Sequence, residues 1–175
     1  MKKYIALLRG INVSGHKKIL MTDLKALFEA LGFEKVQTYI QSGNVVFTSE
    51  KKVNLADIIS EAIKKAYGWE VPVLVLTVSE IEAILAHCPF PMEKMEKSYF
   101  VLLAQPPLKE DIDATSSLYF PKEEFIITPQ CVYLYTEIGA GNTKLSNNFF
   151  EKKLKVSATS RNYRTMAKLL SLISG

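Results

Sequence analysis

Two polar stretches hold the residues best equipped to recognise a ligand: Leu8-Arg9-Gly10-Ile11-Asn12-Val13-Ser14-Gly15-His16-Lys17-Lys18, and Gln41-Ser42-Gly43-Asn44. Each follows an apolar run that reads as a strand, and loops at strand ends are where binding groups sit on a rigid scaffold. Arg9, Lys17 and Lys18 supply positive charge, while Asn12, Gln41 and Asn44 supply amide donors and acceptors. That combination suits an anion, phosphate first, with backbone N–H groups around Gly10 and Gly15 able to approach it. The spacing is neither GxxxxGKS nor GxGxxG, so this is not a nucleotide loop of either kind. Gly43 has sufficient reason in the turn itself. Gln41, whose direction depends on strand register, is the residue of that turn best placed to reach a ligand.

A second cluster comprises Lys144, Arg161 and Arg164. Arg161 and Arg164 lie three apart around Tyr163, at a point that reads as the start of a helix. Paired guanidinium groups can fork onto phosphate or carboxylate, and a helix N-terminus favours the same charge. Salt bridging to Glu151 or to the C-terminus is the structural alternative. Other reactive residues lack partners. His16 has no positioned carboxylate for acid–base work, and His87-Cys88 has no orienting third group. Cys88 and Cys131 form no CxxC and read as reduced thiols, so neither a metal centre nor a cofactor is expected. The runs Phe149-Phe150 and Tyr133-Leu134-Tyr135 read as core rather than as stacking platforms for bases.

The elements that carry these loops follow from hydrophobic periodicity. Tyr4 to Leu8 is a short apolar strand, and Leu24, Leu27, Phe28 and Leu31 share one helix face that Gly32 ends. Val36 to Ile40 and Val45 to Thr48 are β-rich, with Ser42-Gly43-Asn44 as the hairpin turn between them. Asn54 is the expected N-cap of a helix that Gly68 stops, and Val71 to Val78 is a further strand. This order, β-α-β-β-α-β, is the ferredoxin-like motif. Ser79 to Glu82 has capping-box spacing for a short helix, and residues 89–97 look like a linker.

Beyond it come a strand at Tyr99 to Ala104, a helix at Leu108 to Leu118, and a hairpin of Glu124 to Thr128 with Val132 to Thr136. A helix at Leu145 to Leu154, an edge strand at Val156 to Thr159 and a helix from Asn162 to Ile173 complete the chain. The predicted fold is therefore α+β, with two ferredoxin-like (βαββαβ) halves and an extra C-terminal helix. The expected boundaries are 1–78 for the first half, 79–97 for a helix and linker, and 98–175 for the second. In the first half this topology gathers Arg9 to Met21, Gln41 to Asn44, and Gly68-Trp69-Glu70 at one end of the sheet. In the second, the opposite end gathers Glu137 to Lys144 with Thr159 to Arg164.

At 175 residues with 48% hydrophobic and 23% charged content, the composition is that of an ordinary globular protein. The net charge of +4 is mildly basic and spread along the chain, which permits a polyanionic partner without requiring one. Met1 to Leu8 begins like a signal peptide, but Arg9 and Gly10 interrupt the apolar run. No segment reaches the length of a membrane span, and the expected location is the cytoplasm.

Leu8-Arg9-Gly10-Ile11-Asn12-Val13, Thr38-Tyr39-Ile40-Gln41-Ser42-Gly43-Asn44-Val45-Val46-Phe47, Lys144-Leu145 and Thr159-Ser160-Arg161-Asn162 resemble the bacterial family catalogued as domain of unknown function 1697. The first two motifs are specific, and the resemblance spans nearly the whole chain. Two positions depart from the family pattern. Ser14-Gly15 stands where Gly-Gly is usual, and Tyr163-Arg164-Thr165 stands where Trp-Asn-Thr is usual, which weakens any role for Arg164. The resemblance implies a two-part α+β fold and no established activity.

The leading expectation is a protein that binds a phosphorylated small molecule or nucleic acid. It would use Arg9, Asn12, Lys17, Lys18, Gln41 and Asn44, with Lys144, Arg161 and Arg164 as a second cluster. A small-molecule enzyme without a metal is the alternative. A third reading is assembly, a homodimer included. Tyr4 to Leu8 and Val45 to Phe47 are apolar on both sides and need cover on both faces, from the other half or from a second subunit. The same feature counts against a sheet that reads RNA through exposed aromatics.

Overall fold

The structure is a computed structural model that describes residues 1–174. Its first sheet is built from β1 (Lys2–Leu8), β2 (Glu34–Tyr39), β3 (Asn44–Ser49) and β4 (Val73–Thr77), in the order β2-β3-β1-β4 and antiparallel throughout. Helices α1 (Met21–Ala30) and α2 (Leu55–Tyr67) join them in the βαββαβ sequence. Side chains alternate across a strand. Tyr4, Ala6 and Leu8 of β1, with Val45 and Phe47 of β3, face Leu24 and Phe28 of α1 and Ile59 and Ile63 of α2. Phe47 anchors this core, with Phe33 stacked at 4.6 Å and Phe28 edge-on at 5.4 Å.

The second sheet repeats the topology. Its strands are β5 (Tyr99–Leu103), β6 (Glu123–Ile127), β7 (Cys131–Thr136) and β8 (Ala158–Asn162), ordered β6-β7-β5-β8. Helices α5 (Lys109–Ser116) and α6 (Asn147–Leu154) belong to it, preceded by α3 (Val78–Ala86) and the single turn α4 (Met92–Met95) and followed by α7 (Tyr163–Ser174). Val101, Val132, Leu134, Phe150 and Leu154 form its core. The chain divides into two compact units, Met1–Glu82 together with the end of the chain from Lys168, and Ala83–Ala167. No helix among the described residues is long and apolar enough to cross a membrane.

Local signals in the sequence differ from the structure at four places. The capping box is Thr77-Val78-Ser79-Glu80 rather than Ser79 to Glu82. The Glu80 carboxylate accepts from the Thr77 N–H at 2.7 Å, and the Glu80 N–H donates to Thr77 Oγ1 at 3.2 Å. Both quartets have the required spacing, and the strand's end at Thr77 decides between them. Asn54 precedes α2 as expected but adopts φ 58° and accepts no capping hydrogen bond, because a cap residue must be extended for its side chain to reach the first turn. Residues 92–95 form a helical turn instead of open linker, since Pro91 supplies the carbonyl that the Met95 N–H bonds at 2.9 Å. The fourth difference, at β8, concerns the arginines and is taken up with the site.

Ile5 and Leu7, on the face of β1 away from α1 and α2, are 0% exposed, and Val46 of β3 is 3% exposed. This is the face that the sequence says needs cover, and its side chains are buried.

Ile40, between β2 and the turn, has φ 50° with its side chain 49% exposed. A β-branched residue in the left-handed region is strained by about 1–2 kcal/mol, a strain that Asn largely escapes. Ile40→Asn is expected to raise unfolding stability in urea by about 0.5–1 kcal/mol, with an unchanged denaturant slope.

Candidate functional site

Three connections meet at one end of the first sheet: β1 to α1, β2 to β3, and α2 to β4. The Leu8 N–H donates to the Gly43 carbonyl at 2.8 Å, and the Arg9 N–H donates to the Pro72 carbonyl at 3.0 Å. Lys17 Nζ reaches the Glu70 carbonyl at 2.8 Å. Asn12 does the most to hold the assembly. Its Nδ2 donates to the carbonyls of Gln41 (2.7 Å) and Ile19 (3.1 Å), and its Oδ1 accepts from the Ile19 N–H (2.9 Å).

The backbone between these bonds is unusual. Gly10, Asn12, Ser14, Gly15 and Lys17 all have positive φ, which folds the loop back on itself between Leu8 and Ile19. Gly43, at φ 92°, is the position where glycine is required. A Cβ there would lie 2.7 Å from Leu8 Cβ and 2.9 Å from Ile11 Cδ1. The buried Asn44 locks the other side of the turn, donating to the Tyr39 carbonyl at 3.0 Å and to Ser42 Oγ at 2.9 Å.

These loops wall a cleft of about 320 Å³ lined by Asn12, Gly15, Lys18, Ile19, Leu20, Asp23, Gln41 and Tyr67. Helix α1 starts here after the extended Leu20, with no side chain capping its first N–H groups. Those groups carry the positive end of the helix dipole. Trp69 stacks behind Tyr67, with ring centroids 5.1 Å apart and planes 13° from parallel. Burial, with the Asp23 carboxylate as a lesser cause, pushes the Tyr67 phenol above its ordinary value, so it remains a neutral donor at neutral pH. Beside the cleft, Lys64 and Glu70 form an ion pair at 2.6 Å. Each holds the other in its charged form, raising the Lys64 pKa and lowering that of Glu70.

Of the six first-half residues singled out by sequence, Asn12, Lys18 and Gln41 line this cleft, whereas Arg9, Lys17 and Asn44 stand outside its lining. Asn12 and Asn44 spend their side-chain amides on backbone and turn partners. Gln41 keeps an exposed side chain, and its main-chain carbonyl is the atom used structurally. Asp23 and Tyr67 were missed. The topology already placed the helix start after Met21 and the segment before Trp69 at this end, and each carries a polar residue one turn or less away.

The second cluster is arranged differently from expectation. β8 runs through Asn162, so Arg161 lies in the strand opposite Phe100 rather than on the first turn of a helix. It is half-buried and donates from Nη1 to the Ser160 carbonyl at 2.9 Å. Burial lowers its guanidinium to about 10, still charged at neutral pH. Asn162 caps α7, its Oδ1 accepting from the Thr165 N–H at 2.9 Å, while Arg164 is exposed on that helix. A strand residue and a helix residue do not share the face that a continuous helix would have given them. Lys144 is exposed in the loop before α6. His16 is an exposed turn residue and His87 an exposed helix-end residue. Cys131 is buried, which pushes its thiol well above the ordinary value. Among the described residues no three His, Cys, Asp or Glu side chains gather as a metal-binding group.

The fold has a solved relative in a conserved bacterial protein, SP0830, from Streptococcus pneumoniae. It is 24% identical, with 98% of each chain covered and a TM-score of 0.75. No curated protein gives a match. The model of the family described as "Protein of unknown function (DUF1697)" matches residues 1–133, which takes in β1 to β6 and the start of β7, and the chain belongs to that family.

Proposed function

We propose that the protein binds a small phosphorylated ligand in the cleft of its first unit. The observation that carries this reading is Lys18 in the lining of a cleft onto which the uncapped start of α1 also opens. A cation and the positive end of a helix dipole favour the same negative charge. The size supports a compact ligand, since pockets of a few hundred Å³ suit molecules of that scale. A nucleic-acid strand is less favoured. Lys17 is committed to the Glu70 carbonyl, and Asp23 and Glu70 interrupt any continuous basic track.

Thermal unfolding with ribose 5-phosphate and with inorganic phosphate tests the reading. Ligand at a hundred times its dissociation constant stabilises by about 2.7 kcal/mol. Lys18→Ala is expected to weaken affinity about tenfold, as loss of one charge-assisted hydrogen bond does. No stabilisation, or a response that Lys18→Ala leaves unchanged, would remove the proposal.

A small-molecule enzyme acting in the same cleft is the second reading. Non-glycine residues at positive φ (Asn12, Ser14, Lys17 and Ile40) cluster beside it, and such strain gathers at sites of chemistry.

A further inference from the structure

We propose that the phosphorylated ligand is a nucleoside monophosphate, its phosphate held at Lys18 and its base donating hydrogen bonds to Asp23. The inference rests on the cleft being a phosphate site and adds what the rest of its lining selects.

Lys18 and Asp23 line one cleft, yet among the described residues neither forms an ion pair, with the other or with any third group. A ligand that is only anionic satisfies Lys18 and is repelled by Asp23. The cleft is complementary to a molecule with an anionic end and a donor-bearing end. An ionised carboxylate only accepts hydrogen bonds, so the atoms facing Asp23 must be N–H or O–H groups.

The walls narrow the choice. Tyr67 is held against Trp69 by a near-parallel stack, which fixes an aromatic wall. The apolar Ile19 and the 67% exposed Leu20 continue the lining. A polyhydroxylated sugar phosphate supplies donors but no flat apolar surface for such a wall. A nucleobase supplies both: N–H donors on its edge and a π-face that stacks on aromatic side chains whatever the base. Asn12 adds little selectivity, because its amide is committed to Ile19 and Gln41. That leaves Gln41 and the Tyr67 hydroxyl to position the sugar or base.

Titration calorimetry separates this inference from the reading beneath it. Wild type, Asp23→Asn and Lys18→Ala are titrated with the monophosphates of guanosine, adenosine, cytidine and uridine, with ribose 5-phosphate, and with free guanosine. Asp23 is exposed on the first turn of α1, so Asp23→Asn should fold normally, which circular dichroism verifies. At least one monophosphate is expected to bind about tenfold tighter than ribose 5-phosphate, the scale of one good charged hydrogen bond. Asp23→Asn should erase that advantage while leaving ribose 5-phosphate affinity the same or higher, since a repelling charge is gone. Lys18→Ala should weaken both classes alike. Equal affinity for ribose 5-phosphate and every nucleotide, or a nucleotide advantage that survives Asp23→Asn, overturns the inference and leaves phosphate binding intact. Binding by none of these compounds overturns both.

Discussion

Gly43→Ala is expected to destabilise the first unit by about 2–5 kcal/mol, combining backbone strain with overpacking in a closed site. Two independent features require glycine here. The backbone sits at φ 92°, where an L side chain is strained, and a Cβ would come within 2.7 Å of Leu8 Cβ and 2.9 Å of Ile11 Cδ1. Neither neighbour can yield easily. Leu8 is a fully buried strand residue whose N–H bonds the Gly43 carbonyl, and Ile11 is 1% exposed. A small movement of the turn would also pull on Gln41, whose carbonyl accepts from Asn12. Urea unfolding of the variant measures the cost. A loss below about 1 kcal/mol, within the range of ordinary substitutions, would mean that the turn is not packed onto β1 as described.

Asn12→Ala is expected to lose about 2–4 kcal/mol, for a different reason. The change adds no clash. It leaves the N–H and carbonyl of the buried Ile19 without the amide they bond, each costing about 1–3 kcal/mol when unpaired out of water, whereas the exposed Gln41 carbonyl turns to solvent. It also replaces a residue that tolerates φ 55° with one that does so less readily. Asn12→Asp should fall in between, since it retains an acceptor for the Ile19 N–H but donates to neither carbonyl. Amide exchange at Ile19 gives a local readout, and protection there should drop in Asn12→Ala. A stability change within 0.5 kcal/mol and unaltered exchange would show that the loops are held by something else.

Much of this end of the molecule was legible in the sequence because topology is. Once Tyr4 to Leu8, the α1 face and the Val36 to Thr48 hairpin were recognised, the β-α-β-β-α-β order forced the two polar motifs together. What the sequence did not reveal was the division of labour inside those motifs. Asn12, Gln41 and Asn44 are equivalent as amides until their partners are known. Only the fold shows that Asn12 and Asn44 spend their side chains on the loops, while the exposed Gln41 lines the cleft and gives the loops its main-chain carbonyl. Asp23 and Tyr67 escaped notice because an acidic residue in a first helical turn and a tyrosine at a helix end each have ordinary structural reasons to be there.

In the second cluster, the element boundary at Arg161 differs from the sequence reading. β8 extends through Asn162 because Thr159 to Asn162 pair with Leu102 to Tyr99, and that pairing outweighs the helix-start signal of Asn162 until the strand ends. The signal itself was sound, since Asn162 does cap the helix that follows.

The most direct test of ligand binding in the first-unit cleft is two-dimensional NMR of the labelled protein, titrated with ribose 5-phosphate. Saturable shifts are expected at the amides of Asn12, Gly15, Lys18, Asp23 and Gln41, with Lys144, Arg161 and Arg164 unmoved. Shifts centred on Arg161, or none at any residue up to millimolar ligand, the weak end of specific small-molecule binding, would contradict it.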